Sequence, residues 1–191
     1  TPSSGTSVDQ KNYSYTAGGT VGSGKNIWLK IIKKDQNNLS LGLQGAVFQL
    51  KKCTKNDDGT IKVDNDKNWE NKTTDSNGEI QFGAGTSDDP AMDYNTLYQV
   101  MEVTAPNGYV KDDTPHYIMV PKKEDGAADY SDYVKSCIAD PKINIQYQPI
   151  YELTISNHKG EITVEKKFKN PGGHDSNPAS GTYWFGLYGD E

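Results

Sequence analysis

The chain has 191 residues, 33% of them hydrophobic, and its mean hydropathy of −0.82 leaves material for only a thin core. This composition, with twelve Tyr and nineteen Gly residues, favours a β-sandwich with solvated outer faces over a doubly wound α/β domain. The net charge of −6 without a Lys/Arg cluster argues against a nucleic-acid partner, and no apolar run approaches the roughly 18 residues of a membrane span.

The chain begins with a segment rich in Ser, Thr and Gly, residues 1–24, which predicts a linker or the end of a preceding module. The first strand is predicted at residues 26–34, where Ile27, Leu29, Ile31 and Lys33 alternate onto one face. A lysine thus ends an apolar row. Either it reaches solvent from the strand end, or it has a partner inside the core.

Later segments continue the β pattern. Strands are predicted at 45–50, 79–82 after the Asn77-Gly78 hairpin turn, 98–103, 116–120 and 151–157. The long connection at 122–148 contains apolar residues at the spacing of a short amphipathic helix.

One loop matches part of a calcium-binding pattern. Asp64, Asp66, Asn68 and Asp75 fall at calcium-loop positions, but Trp69 stands where glycine is required. We therefore expect a solvated loop there. The three histidines, His116, His158 and His174, lack the spacing of metal ligands, so no metal site is predicted.

Two further strands end an apolar row with a polar side chain. Tyr98 and Val100 share a face with Glu102, just before the turn at 105–108, and Leu153 and Ile155 share a face with Asn157. A glutamate on a core face costs several kcal/mol as an ion, so it must be protonated or partnered.

Lys33, Glu102 and Asn157 have complementary chemistry. A lysine amine made neutral by desolvation can attack the carboxamide carbon of an asparagine. A buried, protonated glutamic acid can polarise that carbonyl and carry protons to the leaving ammonia. The predicted product is an amide between Lys33 and Asn157, formed once by proximity and never turned over.

The pattern resembles the collagen-adhesin B-type repeat, or SpaA-like pilin domain, of Gram-positive surface proteins. The matching residues are Lys33-Lys34-Asp35, 45–50, 74–82, 98–109 and 153–157. The resemblance implies an inverse immunoglobulin-like β-sandwich over 25–159. It carries the family's crosslinking lysine, catalytic glutamate and crosslinking asparagine onto Lys33, Glu102 and Asn157, with no cofactor. It also implies an extracellular location, attached to the cell wall or in a pilus, beside neighbouring repeats or pilin subunits.

The resemblance begins again after residue 160. Residues 160–191 resemble the first strands of a second, truncated repeat, in which Lys166 occupies the place of the crosslinking lysine. Two strands cannot bury a sandwich core alone. We expect either a continuation of the natural protein or a partner strand to complete this repeat, with Lys166 unreacted here.

Two cysteines, Cys53 and Cys137, permit one disulfide that would pin the 122–148 insertion to the second strand, or they are two free thiols.

The function predicted from the sequence is a structural stalk or pilus-backbone module. The alternative is an adhesin module that binds host protein or glycan through the insertion. A turnover enzyme is disfavoured, since the chain contains no recognisable set of nucleophile, base and orienting group.

Overall fold

The computed structural model describes residues 27–65, 69–161, 163 and 172. These residues form two packed β-sheets and one short helix, so the predicted β-sandwich is confirmed. The elements are β1 (Trp28–Asp35), β2 (Asn38–Gly42), β3 (Val47–Lys55), β4 (Ile61–Val63), β5 (Lys72–Thr73), β6 (Glu79–Phe82), β7 (Leu97–Thr104), β8 (His116–Met119), α1 (Asp132–Ala139), β9 (Ile143–Ile145) and β10 (Ile150–Asn157).

The first sheet joins the first and last strands of the described domain. Its order is β10-β1-β2, and β6 pairs with β1 beside β2. β1 and β10 are parallel and in register over their whole lengths, from Trp28 opposite Ile150 to Asp35 opposite Asn157. Because both strands run in the same direction, the polar residues that end their core-facing rows meet at the same edge of the sheet.

The second sheet has the order β4-β3-β7-β8-β9, and β5 pairs with β3. Its central pair, β3 and β7, is antiparallel and places Phe48 opposite Glu102. The space between the sheets is filled by side chains that alternate along the strands, as the period of two predicts, among them Leu29, Ile31, Phe48, Leu50, Phe82, Tyr98, Val100 and Ile155.

The insertion at 122–148 covers the outer face of the second sheet. Its helix α1 begins at the Ser131 cap, whose hydroxyl accepts the backbone N–H of Val134. The helix packs its buried residues against outward-facing residues of β3, β7 and β8. This second hydrophobic cluster contains Cys53, Leu97, Met119, Val134, Cys137 and Ile143.

Several strands differ from the sequence-based expectations. β2 was not predicted, because its side chains are mostly exposed and so give no apolar alternation. β3 extends to Lys55, five residues beyond the predicted end, because its second half packs outward against the insertion. The short strands β4, β5 and β9 were not predicted.

The predicted domain boundaries remain predictions. The proposed linker at 1–24 lies outside the described residues, as does nearly all of the proposed second repeat at 160–191, including Lys166. In the part of the chain that is described, no helix has the length and apolar character needed to cross a bilayer.

Candidate crosslinking site

Lys33, Glu102 and Asn157 converge in the core. Their residues are 0%, 2% and 2% exposed, respectively. Lys33 on β1 and Asn157 on β10 come from one sheet, and Glu102 on β7 reaches them from the other. The structure therefore brings together the three residues singled out from the sequence.

The strand registers explain this meeting. In the parallel pair, Lys33 is level with Ile155, so Asn157 is its next neighbour along β10 on the same core face. Across the sandwich, Glu102 is level with Phe48, whose ring centroid lies 5.4 Å from the Lys33 Nζ. The ammonium thus sits between an aromatic face and two polar side chains.

The three side chains form a closed set of contacts. Lys33 Nζ donates to Asn157 Oδ1 at 2.5 Å and lies 3.1 Å from Glu102 Oε1. Asn157 Nδ2 donates to both carboxylate oxygens of Glu102, at 3.0 Å to Oε1 and 2.9 Å to Oε2. Glu102 therefore contacts both nitrogen atoms between which a proton must pass if the lysine displaces the amide nitrogen.

Burial governs the electrostatics of the site. Desolvation lowers the pKa of Lys33, while the charges of Glu102 and, more weakly, Asp112 act to raise it. Among the described residues, no buried side-chain nitrogen or oxygen atom is without a hydrogen-bond partner. The core therefore holds a satisfied ion pair in which the neutral form of the lysine is favoured more than it is in water.

The segment between β7 and β8 closes over this site. Its Tyr109 hydroxyl donates to Asp35 Oδ2 at 2.8 Å, at the end of β1. Its backbone bonds to the chain after β10, through Val110 N to His158 O at 3.0 Å and Gly160 N to Gly108 O at 2.9 Å. The ends of both reacting strands are thus held under one loop, which keeps water from the trio.

Sequence reasoning missed Asp35, Tyr109 and Asp112 as parts of this site. Asp35 has the same parity on β1 as Lys33 and is only 2% exposed, so the alternation itself was a signal. Hydrogen bonds from the Tyr109 hydroxyl and the backbone N–H of Asn37 keep the pKa of Asp35 below its ordinary value. Asp112 donates its backbone N–H to Glu102 Oε2 at 2.6 Å, a contact that no spacing rule predicts.

The other predicted positions lie apart from the trio. Cys53 and Cys137 are buried thiols in the second cluster, and burial raises the pKa of Cys53 to about 12. A disulfide between them stays a prediction. Asp66 and Asn68 of the calcium-like loop lie outside the described residues. Within the described ranges, no group of three His, Cys, Asp or Glu residues is arranged to hold a metal ion.

Several solved structures resemble this chain. The backbone protein of the group B streptococcus pilus 2b is 24% identical with a TM-score of 0.42, covering 71% of this chain and 42% of that one. The shaft pilin spaA from Lactobacillus rhamnosus GG is 15% identical with a TM-score of 0.42, covering 73% and 48%. BcpA, the major pilin subunit of Bacillus cereus, is 24% identical with a TM-score of 0.37, covering 69% and 28%.

This chain thus matches less than half the length of each of these three proteins. No curated protein shows significant sequence similarity to it. A family model described as the SpaA prealbumin-like fold domain matches residues 27–133, from just before β1 into α1. Since that match covers more than half of the chain, this chain belongs to the family of SpaA prealbumin-like fold domains.

Proposed function

We propose that this chain is a load-bearing module of an extracellular stalk or pilus shaft, held together by a self-made amide bond between Lys33 and Asn157. Glu102 is the proton shuttle for that bond. The reaction occurs once per molecule, so the chain is a structural protein rather than a turnover enzyme. Its partners are neighbouring repeats or pilin subunits, at the cell wall or within a pilus.

The observation that carries this proposal is the buried contact set of the trio. A lysine nitrogen 2.5 Å from the carboxamide oxygen lies beside the carbonyl that it would attack, and a carboxylate within 3.1 Å of both side-chain nitrogens can exchange protons with each of them. Burial supplies the rest, because reacting groups fixed at contact distance in a dry site gain effective concentrations unreachable in solution.

The proposed reaction balances in atoms and charge. Lys33 first passes a proton to Glu102 Oε1, which leaves a neutral amine and a neutral acid. The amine attacks Cγ of Asn157 and forms a new C–N bond, and Glu102 gives its proton to Nδ2 and so becomes the carboxylate again. The carboxylate then takes the second proton from the lysine nitrogen, the Cγ–Nδ2 bond breaks, and the leaving ammonia takes that proton from Glu102 and departs as ammonium. Glu102 ends as the carboxylate with which it began.

The strand order supports a mechanical role. A pull on the two ends of the domain enters at the start of β1 and leaves at the end of β10, which are parallel neighbours. An amide at Lys33 and Asn157 carries the load across near the ends of both strands. Residues 34–156 between them, including eight of the ten described strands, then bear none of it.

A binding role is the second candidate, and one surface feature favours it. A groove of about 330 Å³ lies beside the start of the insertion, lined by Tyr94, Asn95 and residues 122–125. Such a groove is where an adhesin would contact host protein or glycan. However, Lys122 Nζ lies 5.2 Å from the centroid of the Tyr94 ring and occupies a face that a sugar would stack on, so we place this role second.

Single-molecule stretching of the whole chain by its two ends tests the proposal. The sequence separation of 124 between the linked positions corresponds to roughly 400–450 Å of extended chain. The wild type should never release that length, whereas Glu102→Ala, which cannot crosslink, should release it on unfolding. Glu152→Ala, at an exposed position on β10, is the matched control and should behave as the wild type does. Release of the full length by the wild type would contradict the load-bearing role.

A further inference from the structure

The shortest hydrogen bond to Glu102 comes from outside the trio. Oε2 accepts the backbone N–H of Asp112 at 2.6 Å, shorter than any of its contacts with Lys33 or Asn157. Hydrogen bonds to an ionised acceptor are the strong ones, and this one lies in a nearly dry site. The orientation of the carboxyl plane is therefore set by the segment between β7 and β8 as much as by β7 itself.

Asp112 is in turn held by two side-chain contacts. Its Oδ1 accepts the backbone N–H of Thr114 at 2.9 Å, which closes a local turn, and its Oδ2 lies 2.8 Å from His116 Nε2. Although burial acts in the opposite direction, the hydrogen bonds from His116 and Thr114 keep the pKa of Asp112 below its ordinary value. Asp112 is thus an ionised acceptor with both oxygens engaged.

The pairing of β7 with β8 holds His116 in place beside Asp112. His116 is the first residue of β8 and is level with Val100, two residues before Glu102 on β7. A side chain fixed by the same sheet that carries Glu102 therefore determines where Asp112 lies. The path from His116 through Asp112 to Glu102 consists of two short hydrogen bonds, and it ends on the oxygen of Glu102 that does not face Lys33.

We infer that Asp112 is a positioning residue for the crosslinking reaction and that His116 braces it. This inference rests on the proposed amide bond. The Asp112 N–H fixes Oε2 as an acceptor, so the carboxyl group cannot rotate and Oε1 stays aimed at the Lys33 amine from which it takes protons. Neither residue supplies an atom that forms or breaks a bond in the reaction, and their effect is on the geometry of Glu102.

The test follows the reaction during refolding of the full chain. The chain is recovered from inclusion bodies directly into guanidinium chloride, so that it has not folded and reacted, and is shown to have its full sequence mass. It is then diluted and sampled over time. Tryptophan fluorescence, to which the buried Trp69 contributes, reports folding, and intact mass reports the loss of ammonia. The quantity of interest is the rate of mass loss after folding is complete, which a purely structural defect does not change.

Two pairs of variants give the readout. Asp112→Ala and His116→Ala should fold but lose ammonia roughly tenfold or more slowly, because a small misplacement of a reacting group costs that much. Asp112→Asn, whose side chain keeps the Thr114 contact, and His116→Gln, which keeps a donor for Asp112, should recover most of the rate. Asp113→Ala is the matched control, since this neighbour's exposed carboxylate pairs only with Lys111 among the described ion pairs.

The outcomes separate the two proposals. A wild type that keeps its full mass overturns the amide bond and this inference with it. A wild type that loses ammonia, with both alanine variants reacting at the wild-type rate once folded, overturns the positioning role alone. If an alanine variant fails to fold, its conservative partner is measured in its place. A folded Asp112→Asn or His116→Gln chain that loses ammonia as slowly as Glu102→Ala also overturns the positioning role.

Discussion

The burial of Lys33 costs free energy. A fully buried ammonium loses its hydration, and the pairing with Glu102 returns only part of that free energy. The lowered pKa of Lys33 expresses this cost, because the folded domain holds the proton less tightly than the unfolded chain does. The desolvation that disfavours the ammonium ion also favours the neutral amine, which is the nucleophile of the proposed reaction.

This cost predicts a pH dependence in a variant that cannot crosslink. Asn157→Ala removes the electrophile and keeps the Lys33–Glu102 pair. Between the lowered pKa and the unfolded value of 10.5, the unfolded chain binds more protons than the folded one. The free energy of unfolding should therefore rise with pH in that window, by at most about 1.4 kcal/mol per pH unit. Chemical denaturation at a series of pH values measures it.

The matched control for that experiment is Asn157→Ala combined with Lys33→Met. Other groups titrate in the same range, including Cys53, whose raised pKa acts in the opposite direction and destabilises the fold as pH rises. Subtracting the control removes their contribution. An identical pH profile with and without Lys33 would show that burial does not alter its protonation.

At the scale of single residues, the alternation of side chains carried most of the prediction. A period of two decides which residues share a core face, so Lys33, Glu102 and Asn157 were identifiable from the sequence as the ends of apolar rows. Asp112 was not, because its role depends on a backbone N–H whose direction is set by a loop conformation. His116 lies on a predicted strand, but the position of Asp112, the residue that it contacts, is determined by the same loop.

Among the elements, the turn before β6 positions β1 at the site; it joins β5 and β6, which lie in different sheets, and is therefore not the hairpin turn predicted from the sequence. Gly78 adopts a φ of +78°, and its carbonyl accepts the backbone N–H of Lys33 at 2.7 Å. A Cβ at Gly78 would lie 2.4 Å from the Lys33 carbonyl oxygen, which belongs to a strand that cannot move without disturbing the core. The glycine is required both for its conformation and for the close approach.

We therefore expect Gly78→Ala to destabilise the domain by roughly 2–5 kcal/mol, the sum of backbone strain and steric overlap. Gly59→Ala is the matched control, because Gly59 has a similar φ of +82° but a Cβ added there would meet no atom within 4 Å. It should cost only the strain, roughly 1–2 kcal/mol. Denaturant unfolding in the Asn157→Ala background compares the two, and equal costs would refute the close-approach explanation.

The existence of the main strands followed from the sequence better than their pairing did. Strands that face the core, such as β1, β7 and β10, show the alternation that predicts them. β2 presents mostly exposed side chains and β9 is only three residues long, so neither gives a periodic signal. The parallel register of β1 and β10 depends on contacts between distant parts of the chain, which a local pattern does not contain.

For the whole molecule, the proposed amide would change how the fold bears load. It would close a loop over a sequence separation of 124, which in the chain-entropy model stabilises the folded state by roughly 5 kcal/mol. It would also join β1 and β10, the strands through which a pull on the ends of the domain would pass. Unlike a disulfide, an amide there would persist under reducing conditions.

The measurement that tests the central claim most directly is the intact mass of the folded and then reduced chain, wild type beside Glu102→Ala. We predict a wild type lighter than its sequence mass by one ammonia, about 17 Da, and a variant at full mass. A peptide digest should then place the link on Lys33 and Asn157. A wild type at full mass would contradict the amide bond, and a variant as light as the wild type would contradict the role of Glu102.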